Sequence, residues 1–199
     1  ICAARLGLDV LLIEGTGCGG GMGTSGLVTA FDPMANGERC LVGGFMRELV
    51  ETMYQRGFLK PGIDPASWRQ KYHCWTPFNA EGLKLVLDEF LVAAGVEVRF
   101  FSKVVACQRQ GADTLEGVVV HNIEGFRYVP ARAFIDATGD AVLADLAGVP
   151  CREAGRDTRH IMPCTLPSLF TGIRWQDCPR FPEFERIYHQ ALDDGRFTQ

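Results

Sequence analysis

The sequence has no CxxC pair, although it holds eight cysteines: Cys2, Cys18, Cys40, Cys74, Cys107, Cys151, Cys164 and Cys178. Structural zinc sites and iron–sulfur clusters usually show at least one close pair, so neither has ligand support in these residues. Scattered thiols in 199 residues are also unlike the dense frameworks of small secreted domains. They point to reduced side chains and a cytoplasmic protein. No apolar run nears the ~20 residues that span a bilayer. Positive charge is not in excess: the net charge is −4, which gives no general attraction for nucleic acid or an anionic membrane. Internal repeats and low-complexity segments are absent too. With 47% apolar and 22% charged residues the composition is that of an ordinary globular protein with a sizeable core.

What is present is concentrated in residues 8–26, which read LDVLLIEGTGCGGGMGTSG. A short apolar run ends on one carboxylate, Glu14, and seven of the next twelve residues are glycine. Such a run is consistent with a buried strand of a parallel sheet. An acidic residue at its carboxyl end sits where open α/β sheets hold ligands, and in dinucleotide folds it takes the ribose hydroxyls. Glycines beyond it let the backbone turn to positive φ and bring N–H groups close to a ligand. A serine-poor glycine run between apolar segments is not a flexible linker. The fingerprint that should precede the carboxylate by about 20 residues is missing. Nothing upstream of Glu14 reads GxGxxG, and residues 1–7, ICAARLG, read as the last turns of a helix closed by Gly7. The expectation is that the chain starts inside the crossover helix, with the first strand upstream; the alternative is a protein that begins with a helix stub.

Downstream, Phe45, Leu49 and Met53 at four-residue spacing predict a helix over 43–56, stopped by Gly57. Residues 59–77 hold prolines and two tryptophans without a period and read as an irregular surface excursion. Asn79 is a good N-cap for a helix over 80–94, with Leu83, Leu87, Phe90 and Ala94 on one face. Strands are expected at 96–101 and 104–108, a hairpin at 117–123 and 126–129, and another strand at 133–137. That last strand runs into Thr138, Gly139 and Asp140, and Asp140 is placed to cap a short helix over 141–147. Beyond Pro150 the chain turns rich in proline and arginine, with an apolar segment at 166–173. Pro182 at a first helical position opens a helix to Asp194 with Phe184, Ile187, Tyr188, Ala191 and Leu192 on one face. This is an α/β pattern: a βαβ unit interrupted by an insertion and crossed by a small antiparallel meander.

Three segments together resemble the FAD-dependent oxidoreductase family, Rossmann-type flavoproteins whose relatives include heterodisulfide reductase-like proteins. They are ARLGLDVLLIE followed by GGGMGTSGLV, then KLVLDEFLVAAGVEVRFFSKVVA, then AFIDATGDAVLADLAGVP. HIMPCTLPSLF is similar to the segment that begins the family's substrate side. The resemblance implies a Rossmann-like FAD/NAD(P)-binding domain over 1–150 and the beginning of a substrate or cap region over 151–199. It implies that Glu14 binds the adenosine ribose, and that the backbone of Gly20, Gly21, Met22, Gly23, Thr24 and Ser25 runs beside the pyrophosphate and ribityl chain. It implies that the main chain of Val104 meets adenine, and that Thr138, Gly139 and Asp140 close over the nucleotide. Iron–sulfur clusters, carried by some relatives, enter by analogy only. Gly15 departs from the family, which commonly has a basic residue there, and the family's distal flavin motif is not in the sequence. The fragment by itself is expected to be inactive.

The expected activity is flavin-mediated hydride or electron transfer on an unidentified small-molecule substrate or electron-carrier partner. No catalytic acid or base can be named. His73, Cys74, Arg159 and His160 are near substrate-side segments, but nothing places them against a flavin. Trp68, Trp75 and Trp175 read as packing residues. Two alternatives stay open: an NAD(P)-dependent dehydrogenase, in which the loop after Glu14 has no role, and a non-catalytic nucleotide-binding subunit.

Overall fold

The computed structural model of the chain describes residues 1–66, 75–111, 113–159, 161 and 165–196. His73, Cys74, Trp68, His160 and Cys164 lie outside the described residues. The chain forms two compact units, Ile1–Pro167 and Ser168–Gln199.

In the first unit a single helical turn, α1 (Cys2–Arg5), is closed by Gly7 at φ +83° and leads into strand β1 (Leu11–Ile13). Strand β1 pairs in parallel with β4 (Glu97–Arg99), Leu12 opposite Val98. Parallel strands need a long crossover. Here it contains the glycine loop, β2 (Ala30–Phe31), α2 (Gly44–Gln55), β3 (Thr76–Pro77) and α3 (Ala80–Ala93). The surface excursion expected at 59–77 is therefore partly ordered, into a separate two-stranded antiparallel sheet of β2 and β3, because Phe31 pairs with Thr76 and its ring stacks on Phe78 at 4.2 Å.

Helices α2 and α3 build the first core. Leu49, Val50 and Met53 from α2 are buried with Leu83 and Val86 from α3, and Met34, Ala35, Leu59 and Phe78 complete the cluster. The buried face of α3 is centred on Val86 more than expected, with Leu87 and Phe90 only partly covered. Asn79 caps α3 as expected: its side-chain oxygen accepts from the Glu81 and Gly82 amides at 2.9 and 3.0 Å. Gly82 has to be small, since a Cβ there would lie 2.4 Å from Phe58 Cγ. Two arginines staple the helices from outside. Arg5 grips Glu48 with both terminal nitrogens, at 2.6 and 2.9 Å, and lies against Phe45 and Phe90. Arg56 pairs with Glu89 over Phe58.

The second core stands under the meander β5 (Lys103–Gln110), β6 (Thr114–Asn122) and β7 (Gly125–Pro130), antiparallel in the order 5-6-7. Asn122 faces Gly125, so the hairpin turns at Ile123 and Glu124. Val118 and Val120 are buried with Leu143, and Ile13, Val104, Cys107, Leu115, Val129 and Phe134 pack against them.

Two expectations fail next to this core. Residues 133–137 do not form a strand: no partner stands beside them among the described residues, and Ile135 is 82% exposed. A strand is defined by its ladder, and an apolar run without one stays irregular. Asp140 does not cap the following helix, α4 (Val142–Leu146). The cap position falls one residue later, on Ala141, whose φ of +55° takes the chain out of the extended conformation that lets a side chain reach forward. The helix amides are met from further back. Thr138 Oγ1 accepts from the Val142 amide at 3.0 Å and Asp136 Oδ2 accepts from the Ala144 amide at 3.0 Å. Asp136 Oδ1 in turn accepts from the Thr138 amide and hydroxyl at 3.0 and 2.7 Å.

In the second unit, α5 (Glu183–Asp193) has Pro182 at its N-cap. Ala191 is buried, whereas Phe184, Ile187 and Tyr188 are exposed, as is Trp175 in the 3-10 turn Trp175–Asp177. Trp75, just ahead of β3, is exposed as well. Neither tryptophan is a core residue, contrary to the packing role expected of them.

Met53 is fully buried in the first core, so Met53→Ala should lower unfolding free energy by about 2–5 kcal/mol, read from urea denaturation. The hydrogen bonds from Thr138, then Ala144, hold the Asp136 carboxyl below the usual aspartate range. A depressed carboxyl stabilises the fold above its unfolded value and loses that contribution as pH falls through the folded one. Asp136→Ala, which removes the acceptor of the Ala144 amide, should cost about 1 kcal/mol at pH 7 as the loss of a cap does, and the gap to wild type should narrow as pH falls through the lowered carboxyl in acid titrations of stability.

Candidate functional site

Glu14 ends β1, and its backbone is held on both sides. Its amide donates to Arg99 O and its carbonyl accepts from the Ser102 amide, both at 2.9 Å. One residue pair further on, the Phe101 amide donates to Thr16 O at 3.0 Å. The strand end is thus zipped to the exit of β4, and the half-buried carboxylate is turned onto its own loop. Oε1 accepts from the Thr16 amide at 2.7 Å and lies 2.8 Å from Thr16 Oγ1. Oε2 has no hydrogen-bond donor among the described residues.

The loop that follows is folded on itself. Gly20 and Gly21 have φ of +101° and +49°, and a 3-10 turn spans Gly21–Gly23. A Cβ on Gly20 would come 2.7 Å from Thr24 Cγ2, so this corner needs glycine both for its angle and for its room. Thr24 is buried at 1% exposure, and its hydroxyl donates to Gly19 O at 2.8 Å. The amides of Gly23 and Thr24 donate to Gly20 O and Gly21 O inside the turn. Those of Gly20, Gly21, Met22 and Ser25 have no acceptor among the described residues. Cys18 Sγ lies 3.3 Å from Ser25 Oγ, which ties the two arms of the loop. On its inner side the loop borders an apolar cavity of about 340 Å³, walled by Gly20, Met22, Gly23, Phe31, Leu83 and Leu87 among others.

Glu14 is linked to the far arm of the loop through Thr16, whose hydroxyl lies 3.5 Å from Ser25 Oγ. Val104 joins them indirectly: it is half-buried on β5, two residues after Ser102, with its side chain in the second core beside Ile13. Thr138, Gly139 and Asp140 are exposed in the turn before α4, whose Leu143 enters the same core. No hydrogen bond or ion pair links this turn to the glycine loop among the described residues. The Lys103 chain runs past Gly15, its Cε 3.6 Å from where a Cβ would stand. Lys84 is held by Glu81 at 2.8 Å, a hydrogen bond that raises its pKa.

Two residues that sequence reasoning left out matter here. Thr16 clasps Glu14, and its signal was a hydroxyl two positions after a strand-ending carboxylate, a turn-forming pattern. Asp136, two before Thr138, carries the same pattern and does the capping work expected of Asp140.

No curated protein matches the chain. Among solved structures it is similar to THI4 of Thermovibrio ammonificans, at 16% identity over 74% of this chain and 56% of that one, with a TM-score of 0.45. A flavoprotein/dehydrogenase from Cytophaga hutchinsonii is 16% identical over 76% of this chain and 40% of that one, TM-score 0.40. CabE, an aromatic hydroxylase from angucycline biosynthesis, is 17% identical over 65% of this chain and 26% of that one, TM-score 0.37. The chain thus spans about half the length of the first of these and less of the others. The family model for FAD dependent oxidoreductases matches residues 1–192, and with the strand-end carboxylate and glycine loop in place the chain belongs to that family.

Proposed function

We propose that this chain is the nucleotide-binding part of an FAD-dependent oxidoreductase acting on a small-molecule substrate or an electron-carrier partner. The observation that carries the reading is Glu14: a carboxylate fixed at the carboxyl end of a parallel strand, with one oxygen clasped by Thr16 and the other left for a ligand. A ribose diol is the ligand such a carboxylate takes in this fold. The residues present fit the rest of a flavin dinucleotide. The amides of Gly20, Gly21, Met22 and Ser25 have no acceptor among the described residues and are suited to an anionic pyrophosphate. Gly23 and Thr24 instead hold the loop in shape, since their amides are engaged within it. The main chain at Val104 would stand on the adenine side, and the turn at Thr138, Gly139 and Asp140 would close over the nucleotide, fixed by Asp136. Bound FAD would supply the redox chemistry, and these residues bind, orient and exclude water.

Among the described residues no group of three or more histidine, cysteine or acidic side chains is placed to hold a metal ion. No helix is long and apolar enough to cross a membrane, and the described cysteines that are free include Cys2, Cys18 and Cys151. A cytoplasmic setting is in keeping with those thiols.

The test is the visible spectrum of the protein purified from its full reading frame. Oxidised flavin bands bleached by dithionite are expected; a colourless protein that binds only NAD would overturn the flavin reading. In that protein Glu14→Gln keeps an acceptor for Thr16 but removes the charge facing the ribose. FAD retention after dialysis should fall by about 1.5–3 kcal/mol for each charged hydrogen bond lost.

A further inference from the structure

We propose that Phe101 is an aromatic platform for the base of the bound nucleotide, an inference that rests on the FAD reading of Glu14. Phe101 sits at the corner between β4 and β5 with φ of +51°, a conformation that a bulky residue rarely adopts. The corner is pinned from several sides. The Phe101 amide donates to Thr16 O at 3.0 Å, and the Ser102 amide donates to Glu14 O at 2.9 Å. Ser102, 1% exposed, donates its hydroxyl to Phe100 O at 2.9 Å and accepts from Asn122 Nδ2 at 3.2 Å. So firm an anchorage does not bury the phenylalanine. The side chain is 72% exposed, and the glycine it crowds is Gly17, whose Cβ, if present, would come 2.6 Å from Cζ at the ring tip.

The arrangement gives up the burial of a large apolar side chain and adopts a strained angle in order to hold a ring in the open. The position of that ring gives the trade a purpose. Thr16, the residue that clasps the Glu14 carboxylate, also takes the Phe101 amide, and its neighbour Gly17 meets the ring. A carboxylate for a ribose and an aromatic face for its base therefore stand on one short stretch, Thr16 and Gly17. A base joined to a ribose has the two surfaces that such a pair recognises. Phe101 is three residues before Val104, so side-chain stacking and main-chain contact would come from one strand entry.

The experiment uses the full-length protein stripped of flavin and titrated with FAD and with FMN, which lacks the adenosine. Phe101→Gly suits the backbone angle, so the melting temperature should change little. Stacking strengths measured on other proteins predict FAD binding about tenfold weaker in Phe101→Gly. Phe101→Tyr should bind FAD within about twofold of wild type, and FMN affinity should be the same in all three. Unchanged FAD affinity in Phe101→Gly would overturn the proposal. So would equal losses for FAD and FMN, which would mean that the ring only shapes the loop, or a Tyr variant as weak as the Gly variant. A wild-type protein that takes up neither flavin would instead overturn the FAD reading itself.

Discussion

The site depends on three main-chain hydrogen bonds that run between the end of β1 and the exit of β4. They fix Glu14 from its amide and its carbonyl, and Thr16 from its carbonyl. A side chain on a free strand end would swing through several rotamers, whereas here the backbone on either side of the carboxylate is immobilised. The Thr16 clasp then selects one orientation for the carboxylate itself. Because a buried or half-buried backbone group must be paired, this zipper is also a constraint on the rest of the chain. The parallel pairing requires β4 beside β1, and that in turn requires the long crossover through both helices.

The two hydrophobic cores act on the site from different sides. The first holds the glycine loop, since Leu83 and Leu87 of α3 stand against Gly23, Gly19 and Gly20. The second holds Ile13, Val104 and Leu143, one residue from each of the three segments expected to meet a nucleotide or next to it. Full burial of such a side chain, as at Leu143, contributes about 1.5–3 kcal/mol, and the partly buried Ile13 and Val104 contribute a share of that, against little for an exposed ion pair. The relative placement of the strand end, the β5 entry and the turn before α4 is therefore a packing result. Polar residues act within each segment: Thr16 on Glu14, Thr24 on the loop, Asp136 and Thr138 on the turn.

What could be read in the sequence follows from this division. Periodicity and capping are local, and α2, α3 with its Asn79 cap, and the meander were all legible at that level. The strand-end Glu14 and the glycine loop were legible because composition changes abruptly there. Pairing is not local. Nothing in residues 30–31 or 76–77 announces that they form a ladder, and nothing in 133–137 says that no neighbour stands beside them. The Asp140 expectation failed on a single dihedral angle. An aspartate before a helix is a sound cap until the following residue turns left-handed, and alanine gives no warning of that.

That dihedral belongs to a set. The non-glycine residues with positive φ among the described residues are Leu27 at +57°, Phe101 at +51° and Ala141 at +55°. Leu27 follows directly on the glycine loop, Phe101 stands at the β5 entry, and Ala141 comes directly after Asp140. Each costs about 1–2 kcal/mol relative to an ordinary angle, and glycine at the same place would cost little. A fold under no other demand would concentrate its left-handed positions on glycine, as this chain does at Gly7, Gly57, Gly95 and Gly148. Strain of this kind persists where surrounding contacts over-determine the backbone, and such places cluster at ligand clamps. All three adjoin the segments that the resemblance expects to meet the nucleotide, so strain and motif fall on the same stretches of chain.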